Sequence, residues 1–125
     1  MTLGVSLTTV TDVTVVGVDG VIDGAVVEDL RAALVSAVSA ASGLPIIDLA
    51  GVEYIDSAGI GVFIALANAP TPKDAAFVLV CPPGPANRIL QLSGLHHVVV
   101  VFEDLEAALR FVRKRREPKR PDRRP

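Results

Sequence analysis

The chain has 125 residues, of which half are apolar, 21% are charged and 4% are aromatic, with a formal net charge of −2 and a mean hydropathy of +0.50. That is one domain of common size with enough apolar side chains to bury a core. It excludes a disordered tail protein, a collagen-like repeat and, since Cys81 is the only cysteine, a disulfide scaffold.

In chain order, Val5 to Val10 and Val13 to Val18 are β-branched runs. Thr11-Asp12 between them is a tight connection, so a hairpin is predicted. Asp19-Gly20 and Asp23-Gly24 carry turn chemistry. Over residues 25–42 the period changes: Val27, Leu30, Leu34, Val38 and Ala41 fall three or four apart on one helical face. Asp23 or a neighbour is the expected cap of that helix, and Gly43 with Pro45 its end. Ile46 to Leu49 suits a short buried strand, and Ala50 to Asp56 a loop.

A second helix is predicted from Ser57. Its body, Ile60 to Ala67, is apolar on nearly every side and is expected to be buried, with Pro70 and Pro72 stopping it. Phe77 to Val80 predicts a strand. Pro85 to Ser93 predicts a helix with proline in its first turn and Gly94 past its end. Val98 to Phe102 predicts the last strand. Asp104 then caps a helix that buries Leu105, Ala108, Leu109 and Val112 and ends in basic Arg113 to Arg116. The order β-β-α-β-α-β-α-β-α implies an α/β fold: a mostly parallel mixed sheet of about five strands with four helices, the first strand pairing differently from the rest.

Residues 1–112 carry four basic and twelve acidic side chains, and residues 113–125 carry eight basic and two acidic. The acidic body disfavours nucleic-acid binding. The domain is expected to span residues 1–112. The proline-containing basic tail, 113–125, is expected to be solvated and disordered beyond the last helix. The longest uncharged apolar stretch with a helical pattern, Ser57 to Ala67, is short of the ~20 residues that a membrane span needs. The N-terminus lacks the basic-then-apolar order of a secretory signal.

Catalytic templates fail one after another. Ser57-Ala58-Gly59 matches half of a serine-hydrolase elbow, but Ile55 replaces its first glycine. Gly59-Ile60-Gly61 is two-thirds of a dinucleotide fingerprint, with Ile64 at the third glycine position. No phosphate-binding Gly-Lys-Ser/Thr loop occurs. His96 and His97 are adjacent and are expected to point apart, so no metal set is predicted. Cys81 is expected in the core. None of these motifs predicts a catalytic site, and no cofactor is expected from them.

Ser57 remains, placed where a loop becomes a helix. Its first expected role is to cap that helix. The same position suits a phosphate, because helix N-termini favour anions. Asp19, Asp23 and Asp56 are expected at the C-terminal ends of strands, as an acidic rim around that hydroxyl. Gly59 and Gly61 either let the helix pack closely or leave it open to a partner.

The segment Ile47-Asp48-Leu49-Ala50-Gly51-Val52-Glu53-Tyr54-Ile55-Asp56-Ser57-Ala58-Gly59-Ile60-Gly61 resembles the signature of STAS domains, in particular bacterial anti-sigma factor antagonists. Arg88 to Leu95 and Glu103 to Leu109 extend the likeness, which covers about residues 5–112. The resemblance implies a cytoplasmic, non-catalytic regulator of transcription. Its partner would be an anti-sigma factor that is also an ATP-dependent serine kinase. Unphosphorylated, the antagonist displaces the sigma factor; phosphorylated at the motif serine, here Ser57, it lets go, and a separate serine phosphatase resets it. Asp23, Asp56, Ala58, Gly59 and Gly61 would surround the phosphosite and meet the partner.

The sequence departs from the family at three places. Gly20-Val21-Ile22-Asp23 lacks the usual glutamate, the following segment lacks the usual proline, and Ala50 replaces a common serine. STAS domains also serve as scaffolds in anion- or lipid-transport complexes without a serine switch, which is the alternative reading. The sequence shows no interface signal, and a free monomer is the expectation.

Overall fold

The structure is a computed structural model, and it describes residues 3–69 and 77–116. The expected terminators Pro70 and Pro72, and the tail beyond Arg116, lie outside the described residues.

Two β-branched runs open the chain as β1 (Gly4–Val10) and β2 (Val13–Ile22), joined by Thr11 and Asp12. Both linking residues have positive φ, 50° and 67°. That is the two-residue turn whose twist matches a hairpin. The remaining elements are α1 (Val27–Ala40), β3 (Ile46–Ile55), α2 (Ser57–Asn68), β4 (Val78–Val80), α3 (Pro85–Ser93), a 3-10 turn (Leu95–His97), β5 (Val101–Phe102) and α4 (Leu105–Arg116). The five strands lie in sequential order, with β1 antiparallel to β2 and every other pair parallel. The expected α/β class and the exceptional first strand are both present.

Helices cover both faces, which parallel strands require. One core joins Val16, Val18, Ile22, Ile47, Leu49 and Ile55 of the sheet to Leu30, Leu34, Phe63 and Leu90 of α1, α2 and α3. The opposite face packs Val13, Val15, Ile46, Val78 and Val80 against Ala108, Leu109 and Val112 of α4. Arg113 of α4 also donates from Nη2 to Thr11 Oγ1 at 2.9 Å, tying the last helix to the first hairpin.

Four local expectations are corrected. Asp19-Gly20 is not a turn: β2 continues to Ile22, and Gly20 takes φ 102° inside it. Ala50 to Ile55 is not a loop: β3 runs ten residues. Between Gly17 and Asp19, and again between Gly20 and Val21, β3 advances one residue more than β2, so β3 bulges, and a bulge hides the two-residue alternation by which a strand is recognised. Val98 to Val100 leave the last strand: the N–H groups of Val98 and Val99 donate to Leu95 O at 3.0 and 3.1 Å, which prolongs the 3-10 turn, and Val100 O accepts from Leu79 N at 2.9 Å just ahead of the pairs formed by Val101 and Phe102. α2 buries one face, through Gly59, Ile60, Val62 and Phe63, while Gly61 and Ala65 are exposed.

Two expected helix ends are as read: Gly94 ends α3 in the left-handed conformation at φ 81°, and Asp104 Oδ1 accepts from Ala107 N at 2.8 Å. α1 ends at Ala40 with Ala41 as its cap, ahead of Gly43.

Cys81 follows β4 in the core, 1% exposed. Its carbonyl accepts from Asn87 Nδ2 at 2.6 Å. Burial, reinforced by the charge of Asp48, pushes its thiol up to about 11 from 9.0, and the Asn87 amide acting on the thiol itself opposes that rise. The folded state therefore holds this proton longer than the unfolded chain does, and stability is lost as pH rises from about 9 to about 11. The loss from this group is expected to be roughly 2–3 kcal/mol. Urea titrations of wild type and Cys81→Ala at successive pH values should show the two converging over that window.

Candidate functional site

β2 and β3 end together. Ile22 and Ile55 are paired in register, so Asp23 and Asp56 stand one residue beyond, on adjacent strands. The Asp56 N–H donates to Ile22 O at 3.0 Å, fixing the second corner against the first. Asp23 Oδ1 accepts from Ala25 N at 3.0 Å, and Asp23 O from Val26 N at 3.1 Å. These bonds turn the chain into α1, whose formal cap, Val26, has no side-chain oxygen to offer.

At the second corner Asp56, not Ser57, caps the helix. Its extended backbone places Oδ1 to accept from Gly59 N at 3.0 Å, and its carbonyl accepts from Ile60 N at 3.0 Å. That corrects the capping role expected of Ser57 by one residue. An aspartate cap suits the positive end of the helix dipole better than a serine. Ser57 is the first residue of α2; it is exposed, and its hydroxyl makes no hydrogen bond among the described residues. A side chain with no structural duty stands at the mouth of a helix whose first turn carries no acidic residue.

The other named residues divide. Ala58 is exposed beside Ser57. Gly59 is buried, and a Cβ there would lie 2.5 Å from Ile22 Cγ2 and 2.8 Å from Ile55 Cγ1. Its bareness lets α2 sit on the strand ends. Gly61 is exposed, and a Cβ there would meet nothing within 4 Å. Packing does not require a glycine at that place. Asp19 does not join the rim: it sits inside β2, opposite Gly51 of β3 and Gly4 of β1.

Tyr54, 47% exposed, lies on β3 three residues before Ser57. It was not singled out from the sequence, where its segment reads as a loop. Between α1 and α2 an open groove of about 460 Å³ is lined by Leu34, Val35, Val62 and Leu66, with Arg31 at its side. Its sequence signal is Val35, an apolar residue off the buried stripe of α1.

His96 and His97 do not point apart as expected, because the 3-10 turn stacks their rings at 4.0 Å. Among the described residues no group of three or more His, Cys, Asp or Glu side chains could hold a metal, and no helix is long and apolar enough to cross a membrane.

Two substitutions separate the cap from the free hydroxyl. Asp56→Ala is expected to cost about 0.5–2 kcal/mol through loss of the cap. Ser57→Ala should stay within about 0.5 kcal/mol of wild type, as exposed side chains without partners do. Urea denaturation of the two variants reads both.

The STAS domain model matches residues 5–108. An anti-sigma factor antagonist from Mycobacterium paratuberculosis is similar in structure, with a TM-score of 0.82 at 27% identity over 90% of this chain and 95% of that one. A Thermotoga maritima protein assigned as an anti-sigma factor antagonist is 30% identical over 67 residues, 54% of this chain and 59% of its own length. The match thus spans about three-fifths of that relative. The antagonist SpoIIAA shares the fold in its unphosphorylated form, at TM-score 0.69 and 24% identity over 89% of this chain and 97% of that one. Its phosphorylated form, from Bacillus, aligns at TM-score 0.52 and 24% identity over 86% of this chain and 99% of that one.

Proposed function

The chain belongs to the STAS domain family, and from that premise we propose that it is an anti-sigma factor antagonist whose binding is gated by phosphorylation at Ser57. In this reading it acts in the cytoplasm and binds an anti-sigma factor with serine-kinase activity. Binding frees the sigma factor. The kinase moves the γ-phosphoryl group of ATP to Ser57 Oγ, releasing ADP and the hydroxyl proton. A serine phosphatase restores the hydroxyl.

One observation carries the reading. Ser57 Oγ is exposed and makes no hydrogen bond among the described residues, at the first position of α2, while the neighbouring aspartate does the capping. A group-transfer site must be reachable and must be free to change without unfolding its host. Ser57 satisfies both, and a phosphate there would face the positive end of the helix. The new charge would stand close to Asp56 and Asp23, so the surface offered to a partner turns strongly anionic. That is a repulsive gate, with no refolding needed.

Gly61 supports the same surface. Glycine inside a helix costs about 1 kcal/mol against alanine, and no neighbour demands it here. A partner backbone approaching α2 closely supplies a reason. The named relatives that are anti-sigma factor antagonists, and a protein of this fold solved both with and without phosphate, agree with the proposal.

The test is a pull-down from source-cell lysate with wild type, Ser57→Ala and Ser57→Glu as parallel baits, and mass spectrometry of Ser57 after incubation with ATP. An ATP-binding serine kinase recovered by the first two and lost by the third supports the switch. Equal recovery of one transport component by all three would replace it with the scaffold reading.

A further inference from the structure

The opposite edge of the sheet carries a feature that the phosphorylation reading does not use. β1 is an edge strand, seven residues long, and its burial differs from every other strand: Val5 to Thr9 are all exposed. It contains neither a charged residue nor a proline, and its register with β2 runs without a bulge. Charges, prolines and bulges are the usual devices that stop an edge from pairing with another chain. β1 has none of them.

The turn fixes which backbone groups face outward. A two-residue hairpin loop of this type closes on a hydrogen-bonded pair, here Val10 with Val13. Hydrogen-bonded pairs alternate along an antiparallel ladder, so Thr8, Ser6 and Gly4 also bond inward to β2. The N–H and C=O of Val5, Leu7 and Thr9 therefore point to the open edge.

Those three residues are symmetric about Leu7. Under a twofold axis through Leu7, Val5 faces Thr9 of a second copy, Leu7 faces Leu7, and Thr9 faces Val5. Every outward donor then meets an outward acceptor, giving six backbone hydrogen bonds. On the other face Ser6 meets Thr8, a hydroxyl pair common across strands. No like charges are brought together. Leu7, 64% exposed, lies on the α1 face, above a recess of about 450 Å³ whose α1 wall is the small side chains of Ala37, Ala40 and Ala41. The recess has room for the leucine of the second copy.

We propose that β1 is a self-association edge: two copies of this chain pair antiparallel through Val5, Leu7 and Thr9 into one continuous ten-stranded sheet. This departs from the monomer expected from sequence. It does not depend on Ser57, which sits at the strand ends and stays open in such a dimer, once on each side.

The test uses the untagged full chain in sedimentation velocity, from low micromolar to near-millimolar concentration. Wild type is expected to shift towards twice its 13.1 kDa mass. Leu7→Lys sets two ammonium groups against each other across the axis and should weaken association about tenfold or more. Its melting temperature should hold, since the side chain is exposed. Mixing Leu7→Lys with Leu7→Glu should restore the dimer. Amide exchange supplies a second readout: protection at Val5, Leu7 and Thr9 should rise with concentration, while Ser6 and Thr8 are protected throughout. A wild type that stays monomeric, a dimer indifferent to Leu7→Lys, or a dimer with those three amides still unprotected would each overturn the proposal.

Discussion

Gly59→Val is expected to lower the unfolding free energy by about 3 kcal/mol, the upper part of the range for overpacking a tight contact. Even the first carbon of a side chain would stand 2.5 Å from Ile22 Cγ2 and 2.8 Å from Ile55 Cγ1. Both isoleucines are fully buried at the ends of paired strands, so neither can swing away. The start of α2 would have to lift, and Ser57 and the Asp56 cap with it. Gly61→Ala, two residues on, should do the reverse. Space is open there, and alanine should add about 0.5–1 kcal/mol through helix propensity. Thermal denaturation of both variants beside wild type gives the two signs. If Gly61 lies under a partner, the stabilised Gly61→Ala protein should also bind that partner less tightly.

Ser57→Glu is expected to weaken binding to the proposed kinase partner about tenfold or more, since like charges brought together at an interface cost up to several kcal/mol. The carboxylate adds to Asp23 and Asp56 at a surface where α2 itself supplies no cation in its last turn and no acid in its first. Ser57→Ala should bind as wild type does, because the hydroxyl holds nothing in place. Phosphoserine should exceed glutamate, carrying roughly −1.5 to −2 charges against −1. Calorimetric titration with the isolated partner measures all three, and the glutamate penalty should shrink as salt is raised. Loss of binding by Ser57→Ala would instead make the hydroxyl a contact and remove the gate.

Much of the fold is legible because its signals are local. The Thr11-Asp12 turn, the proline at the start of α3, Gly94 at its end and the Asp104 cap each act within a few residues. The parts that were not legible depend on neighbours. Asp19-Gly20 and Ala50 to Ile55 carry the composition of turns and loops, yet both become strand because β2 and β3 pair with each other, β3 through two bulges. The period-two pattern is lost in one segment for the sake of pairing with the other. Val98 and Val99 have the composition of strand, yet their N–H groups turn back to Leu95 O in the 3-10 turn that follows Gly94.

The candidate site shows the same division. Ser57, Asp56, Asp23 and Gly59 lie in one contiguous motif and its neighbouring turn, so sequence finds them. The cap falls to Asp56 because Asp56 is extended, at φ −102° and ψ −175°, while Ser57 already lies in the helix, a boundary that residue types alone do not specify. Tyr54 and the groove between α1 and α2 become visible only when burial is known.

The two faces of the sheet are covered in different ways: three helices on one, α4 alone on the other. During synthesis, α1, α2 and α3 emerge with the strands they cover. α4 is the last of the described elements to leave the ribosome. Until it does, Val13, Val15, Ile46, Val78 and Val80 form a bare apolar strip on an otherwise assembled domain. Apolar surface exposed in this way is prone to aggregate, and its cover waits on Ala108, Leu109 and Val112.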